Sequence, residues 1–306
     1  MGLDGKVDAR PGGGPFNVAR TAGRLGLRPA FLGRLSADGF GRLLRETLEH
    51  DGAYVALPEP AEEPTTLAVA DLDAGGVPRF HFHLAGTSAA ALGYPELAAA
   101  LPGDVSALHA GSLGLAVEPI AASIESLIGG GLAPGVMVMV DPNCRPHAIA
   151  DKAAYLARIE RVMRRADVIK ASTDDLAYLG VRADVLLGWG PALVLVTDGP
   201  RSVSVLSRDG GFEVPVPPAA VVDTLGAGDS FGGAFLAWWR GHDLRADDLG
   251  RLDLVRQAVE ASVEVARLTC SRAGAEPPWA SELAAHPGWE WLPDAGSGMP
   301  GVSCPG

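Results

Sequence analysis

The stretch Val221–Trp239, VVDTLGAGDSFGGAFLAWW, concentrates residues able to do chemistry. An apolar strand end runs into Asp223 and Thr224, then Gly226-Ala227-Gly228-Asp229. A helical pattern follows, in which Phe231, Phe235, Trp238 and Trp239 recur at helical spacing. Small residues at a helix start let backbone N–H groups converge on an anion, where the helix dipole also favours negative charge. Gly226, Ala227 and Gly228 are therefore a candidate phosphate or oxyanion cradle. Asp229 stands beside the place that anion would take and could accept a proton from a hydroxyl attacking a phosphoryl group. The plain alternative is an N-capping Asp behind a tight glycine turn, and on these residues alone the two readings are level.

Near the N-terminus, Gly12-Gly13-Gly14-Pro15-Phe16-Asn17 opens another helical pattern. Glycines allow a ligand close to the backbone, and Asn17 offers donors and acceptors suited to sugar hydroxyls. Taken alone, a loop with a capping Asn is the simpler account. His81 and His83 alternate with Phe80 and Phe82, which puts both imidazoles on one face of a strand. With no third ligand nearby they read as lid or pocket residues rather than a metal pair. Cys144 and Cys270 read as small packing residues, and Trp238-Trp239 as helix packing rather than a stacking platform.

The elements that position these residues alternate. Apolar runs fall at Pro29–Leu32, Leu67–Ala70, Ala107–Leu108, Val136–Val140, Val168–Ile169, Leu193–Val196 and Val203–Leu206. Continuous Val-rich runs such as VMVMV and LVLV suit strands buried on both faces, which predicts a parallel sheet. Helical spacing occupies Asn17–Leu25, Phe40–Glu49, Glu118–Leu127, Lys152–Arg165, Thr173–Leu179, Asp229–Arg240 and Leu252–Leu268. The pattern predicts a doubly wound α/β layer structure. Ala53–Leu84 breaks the rhythm: alternation around Asp73-Ala74-Gly75-Gly76 reads as a hairpin, either a lid over a pocket or an antiparallel sheet edge. The Gly- and Pro-rich residues 287–306 read as a loose C-terminal tail following a domain of residues 1–286.

Composition narrows the function class. The 306 residues carry 25 Lys+Arg against 37 Asp+Glu, a formal charge of −12, so no global field draws the chain to nucleic acid or anionic lipid. Three widely spaced cysteines, Cys144, Cys270 and Cys304, form neither a disulfide framework nor a zinc pattern, and suggest a reducing compartment. No apolar run follows the N-terminal charges, and no stretch of ~20 unbroken apolar residues occurs. The expectation is a soluble cytoplasmic protein with no membrane or nucleic-acid partner. A hydride-transfer enzyme is disfavoured, since no strand leads into G-x-G-x-x-G with an acid ~20 positions on.

DTLGAGDSFGGAF resembles the C-terminal signature of the pfkB, ribokinase-like carbohydrate kinases, and GGGPFNVARTAGRLG with GRLSADGFGRLL resembles their N-terminal signature. The blocks PTTLAVADLDAGG, HAGSLGLAVEP, DPNCRP, IKASTDDLAYL, VTDG and CSRAGAEPP agree in order, so the resemblance spans Gly12 to about Leu283 and looks most like the fructokinase branch. It implies a three-layer α/β fold, with a central mostly parallel sheet flanked by helices and a small β lid from about residues 53–84. It also implies transfer of the ATP γ-phosphoryl group to a sugar hydroxyl. On that resemblance Asp229 is the base and Gly226, Ala227 and Gly228 form the anion hole. Gly13, Gly14 and Asn17 line the sugar pocket. Thr197, Asp198 and Gly199 form the turn approaching the nucleotide, Thr224 lies near phosphate, and Asp223 belongs to a monovalent-cation loop such as one for K+. Arg145 would approach phosphate or substrate as a fixed bidentate donor, though a surface salt bridge accounts for it equally. Lys170 would meet phosphate or end a strand at the surface.

Phosphoryl transfer also implies Mg2+, which usually keeps several waters. Asp175 is the candidate ligand, acting through water, in a Ser172-x-x-Asp175 block where the family more often has Asn-x-x-Glu. The family begins with a strand ending in an Asp that binds sugar hydroxyls. Here eleven residues precede Gly12 without an apolar strand, and Asp4 and Asp8 stand too close to the glycines to replace that Asp. The expectation is a start lying upstream or a sheet short of one strand, the latter at a cost of several kcal/mol and with poor activity. The leading function is a fructokinase-like sugar kinase. The alternatives are a kinase for ribose, 2-keto-3-deoxygluconate or a nucleoside, and a non-catalytic relative that only binds ligand. A homodimer through the lid is a further expectation.

Overall fold

Val-rich runs without polar interruption require apolar partners on both faces, and they occupy the middle of the sheet. The computed structural model describes residues 9–72, 78–284, 286–290 and 292. In chain order the elements are α1 (Gly14–Arg24), β1 (Ala30–Phe31), α2 (Gly39–His50), β2 (Tyr54–Val55), β3 (Leu67–Leu72), β4 (Pro78–His83), α3 (Tyr94–Ala99), β5 (Ala107–Gly111), α4 (Ile120–Ser126), β6 (Met137–Asp141) and α5 (Lys152–Met163). There follow β7 (Val168–Ser172), α6 (Thr173–Leu179), α7 (Ala183–Gly188), β8 (Leu193–Thr197), β9 (Ser202–Ser207), β10 (Gly210–Pro215), α8 (Ala227–Gly241), α9 (Leu252–Cys270) and α10 (Ala280–Leu283).

The main sheet has the order β10-β9-β8-β7-β6-β5. One face packs on α8, α9 and part of α1, through Met139, Val168, Leu195, Phe235 and Trp239. The other packs on helices α3 to α7, through Val138, Val140, Ile169, Ile159 and Leu97. This is the three-layer α/β arrangement expected. Strands β5 to β8 are parallel, but β9 and β10 run antiparallel. The sheet is thus mostly parallel, as expected, and the run at Val203–Leu206 is the exception, because the short 198–201 link from β8 cannot carry the crossover a parallel neighbour needs. The run at Pro29–Leu32 also leaves the main sheet: β1 pairs in parallel with β2 alone.

Strands β3 and β4 form the expected antiparallel hairpin, from Leu67 opposite His83 to Leu72 opposite Pro78. It begins at Leu67 rather than Ala53, since Tyr54 and Val55 belong to β2. The turn at Asp73–Gly76 lies outside the described residues, as do Asp4, Asp8 and Cys304. The segment read as a loose tail starts packed: Trp289 is fully buried and donates from its indole to the Ala261 carbonyl at 3.2 Å. Residues 293–306 lie outside the described set. Among the described residues no helix is long and apolar enough to cross a membrane.

No strand precedes α1 among the described residues, and β5 forms the edge of the main sheet. The bond from Met137 N–H to Ser106 C=O turns Ser106, Leu108 and Ala110 toward β6, and so turns the backbone groups of Ala107, His109 and Gly111 outward. This edge lines a cavity of 1670 Å³ that also reaches β1, the hairpin and Asp229.

Candidate active site

The first turn of α8 is set by Gly226, which caps the helix in the left-handed region at φ 76°. A Cβ there would stand 2.4 Å from Ala275 Cβ, so both the backbone and the space demand glycine. Within this turn the N–H groups of Gly226, Gly228 and Asp229 have no acceptor among the described residues, while Ala227 N–H donates to Thr224 C=O at 3.3 Å. Free N–H groups at a helix start form an anion site.

Asp229 lies in the same turn and is buried. Close packing of α1 on α8 delivers its first partner. Gly233 on α8 leaves no room for a side chain, since a Cβ would come within 2.7 Å of Thr21 and of the Val18 carbonyl. At that separation Asn17 Nδ2 donates to Asp229 Oδ2 at 2.8 Å. The second partner comes from the loop after β6, where Asn143, at φ 40°, donates from Nδ2 to Asp229 Oδ1 at 3.1 Å. Two neutral amides thus hold both carboxylate oxygens. Burial raises the Asp229 pKa, against the opposing pull of the Asn17 bond and the charges of Lys170 and Arg145.

A second charged pair stands alongside. Lys170 on β7 donates to Asp141 Oδ2, at the end of β6, at 2.7 Å, with both side chains buried. Burial pushes the Asp141 carboxyl up to about 6; Lys170 pulls it back, and the charges of Asp175 and Asp229 push it further. Burial works against the Lys170 charge, but Asp141 and the neighbouring carboxylates outweigh it and raise its pKa. The Lys170 ammonium lies 2.8 Å from the position of a Cβ on Gly228, so it faces the free end of α8. Asn17 Oδ1 and Asp141 Oδ1 are buried without a hydrogen-bond partner.

The structure therefore gathers Gly226, Ala227, Gly228, Asp229, Asn17 and Lys170. Gly14 joins them, since a Cβ on it would meet Ser112, Asn143 and Asp229 at 3.1 to 3.4 Å; Gly13 precedes it at φ 133°. Arg145 is half-buried, donates to the Cys144 carbonyl at 3.2 Å and bears on Asp229 through its charge. It forms no ion pair with a carboxylate among the described residues, so the surface salt bridge is absent. Thr197, Asp198 and Gly199 close β8, with Thr197 opposite Ser172 of β7. Asp198 accepts from Thr173 Oγ1 at 3.1 Å and pairs with Arg201. Thr224 is exposed beside the α8 turn. Asp223 accepts from Leu225 N–H at 2.9 Å and Gly274 N–H at 2.8 Å, tying two loops together.

Asp175 is more deeply engaged than its sequence position suggests. It accepts from Cys144 N–H at 2.7 Å, and from Ser172 N–H at 2.8 Å and Ser172 Oγ at 2.6 Å, forming a capping box on α6. It pins the loop carrying Asn143 and Arg145. His81 and His83 are exposed, and the described residues hold no cluster of three metal-ligating side chains. The Cys144 thiol is pushed up to about 12, mainly by burial. Trp238 and Trp239 are buried in the helix layer, as expected. The sequence reading passed over Asn143 and Asp141. Both stand in DPNCRP, where an amide two residues beyond an acidic strand end was the available signal.

The pfkB family carbohydrate kinase pattern matches residues 3–282. A fructokinase from Rhizobium leguminosarum bv. trifolii is 34% identical over 232 residues, covering 74% of this chain and 70% of that protein. The structure of a fructokinase with bound ATP from Xylella fastidiosa aligns with a TM-score of 0.79 at 27% identity, covering 86% of this chain and 85% of that one. A fructokinase from Vibrio cholerae O395, in a form bound to fructose, ADP and calcium ion, aligns with a TM-score of 0.76 at 26% identity, covering 90% of each chain.

Proposed function

Because the chain belongs to the pfkB family of carbohydrate kinases, we propose that it transfers the γ-phosphoryl group of ATP to a hydroxyl of fructose, with Asp229 as the catalytic base. The observation that carries this reading is Asp229 itself: buried, held at both oxygens by Asn17 and Asn143, and placed in the turn whose free N–H groups await an anion. Fructose is favoured by the fructokinases among the relatives, one of them in a fructose-bound form.

In this reading the sugar occupies the cavity beside Gly13, Gly14 and Asn17. The unpartnered Asn17 Oδ1 accepts from one sugar hydroxyl, while Asp229 takes the proton of the attacking hydroxyl. Carboxylate position is fixed before substrate arrives, so little reorganisation remains. The N–H groups of Gly226, Gly228 and Asp229 and the Lys170 ammonium face the transferring phosphoryl group and stabilise its charge. Arg145 adds a planar donor fork at the mouth of the site. Thr197, Asp198, Gly199 and Thr224 flank the nucleotide, and the loops joined by Asp223 suit a monovalent cation such as K+.

Mg2+ fits as an ion carried chiefly by phosphate oxygens and water, with Asp175 behind a water. Asp175 already accepts three hydrogen bonds, and no three-residue ligand cluster is present among the described residues. When bound, it screens the phosphate oxygens. The test is ADP release with Mg-ATP across fructose, ribose, 2-keto-3-deoxygluconate and adenosine. Fructose-dependent turnover should fall by about 10³ in Asp229→Asn while ATP still binds. Preference for another alcohol would overturn fructose, and folded protein without turnover would overturn the catalytic reading.

A further inference from the structure

Behind the α8 turn lies a second cluster of buried charge. Arg20 and Arg24 on α1 are buried, and so is Asp51 after α2. Arg20 Nε donates to Asp51 Oδ2 at 2.6 Å, and Arg24 Nε lies 2.9 Å from Asp51 Oδ1. Both guanidinium groups also reach Glu276, at 2.9 Å and 2.5 Å. Their remaining arms hold main-chain carbonyls: Arg20 Nη1 donates to Ala275 C=O at 2.8 Å and Arg24 Nη1 to Pro277 C=O at 2.6 Å.

The Ala275 contact leads back to the active site. Ala275 is buried, and its Cβ fills the space a side chain on Gly226 would need. Gly226 is the left-handed cap that aims the free N–H groups of α8. Arg20 stands three residues after Asn17, on the same side of α1. One helix therefore holds the Asp229 carboxylate through Asn17 and the wall behind the anion turn through Arg20. Removing two arginines and a carboxylate from water is costly, so a buried ionic cluster is weak evidence for stability and a better candidate for fixing geometry.

We propose that Arg20 is a positioning residue for phosphoryl transfer, acting through the Ala275 carbonyl to set the Gly226 turn and the direction of its N–H groups. The proposal rests on the α8 turn being the anion hole. Its test is Arg20→Met, Arg20→Lys, Ala275→Gly and the Arg20→Met/Ala275→Gly double variant, read by steady-state kinetics and by amide exchange at Ala227 and Ser230. Arg20→Met should lower kcat at least about tenfold, with KM for the sugar unchanged, since small misplacements at a reacting centre are costly. Arg20→Lys, which keeps the charge but loses the fork, should recover part of the loss. The double variant should lose no more than the worse single one. Additive losses, or a lowered Tm with kcat intact, would overturn the proposal. Amide exchange works without turnover: Ala227 and Ser230, whose N–H groups donate to Thr224 C=O at 3.3 Å and Gly226 C=O at 2.7 Å, should exchange faster in Arg20→Met, and unchanged exchange would overturn the brace whatever the kinase assay shows. Should Arg20→Met fail to fold, Arg20→Lys and Ala275→Gly carry the same comparison.

Discussion

Asp229 is buried and His109 is half-buried with both ring nitrogens shielded from solvent, and burial moves the two in opposite directions because each resists its charged form. For Asp229 this favours a carboxyl ready to hold a proton, and the amides of Asn17 and Asn143 decide where it is held. His109 on β5 has no such service. Both ring nitrogens lack a partner, and burial, aided by the Lys170 charge, lowers its pKa from 6.5 to about 3. Between those values the unfolded chain binds a proton that the folded chain refuses, so this residue's contribution is complete above pH 6.5 and is lost as pH falls toward 3. Asp141, with its folded pKa raised from 3.8 to about 6, works the other way: its contribution is kept at low pH and lost as pH rises through 6. Urea unfolding of the wild type and His109→Leu across this range isolates the histidine, since Asp141 is common to both. The variant should show a flatter acid limb; parallel curves would show that His109 does not titrate as described.

At the scale of elements, β5 carries the clearest consequence. Its Ala107, His109 and Gly111 amides point away from β6, whereas Leu108 and Ala110 point into the ladder. Amide exchange should therefore alternate along β5, with the outward set exchanging at least about tenfold faster, while β7, paired on both sides, is protected throughout. Uniform protection along β5 would mean that its outer edge is paired. Legibility also divides at this scale. VMVMV and LVLV announced β6 and β8 because strands buried on both faces are apolar without interruption. Tyr54–Val55 and Gly210–Pro215 escaped notice: one is two residues long, and the other opens with two glycines. The helices at Tyr94–Ala99, Ala183–Gly188 and Ala280–Leu283 are too short to display a 3.6-residue period.

For the whole molecule, the hairpin leaves Leu67 and Val69 about two-fifths exposed, on one face of β3, and they line the same cavity as the exposed Phe40 and Leu43 of α2. A homodimer through the hairpin would cover these side chains. The expected mass in solution is two chains, and Val69→Asp should reduce it to one. A one-chain wild type would remove the dimer. The glycine turn, the acid in the first turn of α8 and the alternation of strand and helix were legible in the sequence, because each depends on neighbours within a few residues. The site as a working unit was not. Asn17 and Asp229 stand 212 positions apart, Lys170 and Asp141 29, and Arg20 and Ala275 255. Whether such pairs meet depends on strand register and on how closely α1 and α8 pack, and local periodicity encodes neither. The sequence alone determined which residues could do the chemistry. Tertiary structure decided which of them share a carboxylate, because hydrogen bonds demand distances that only the assembled layers set.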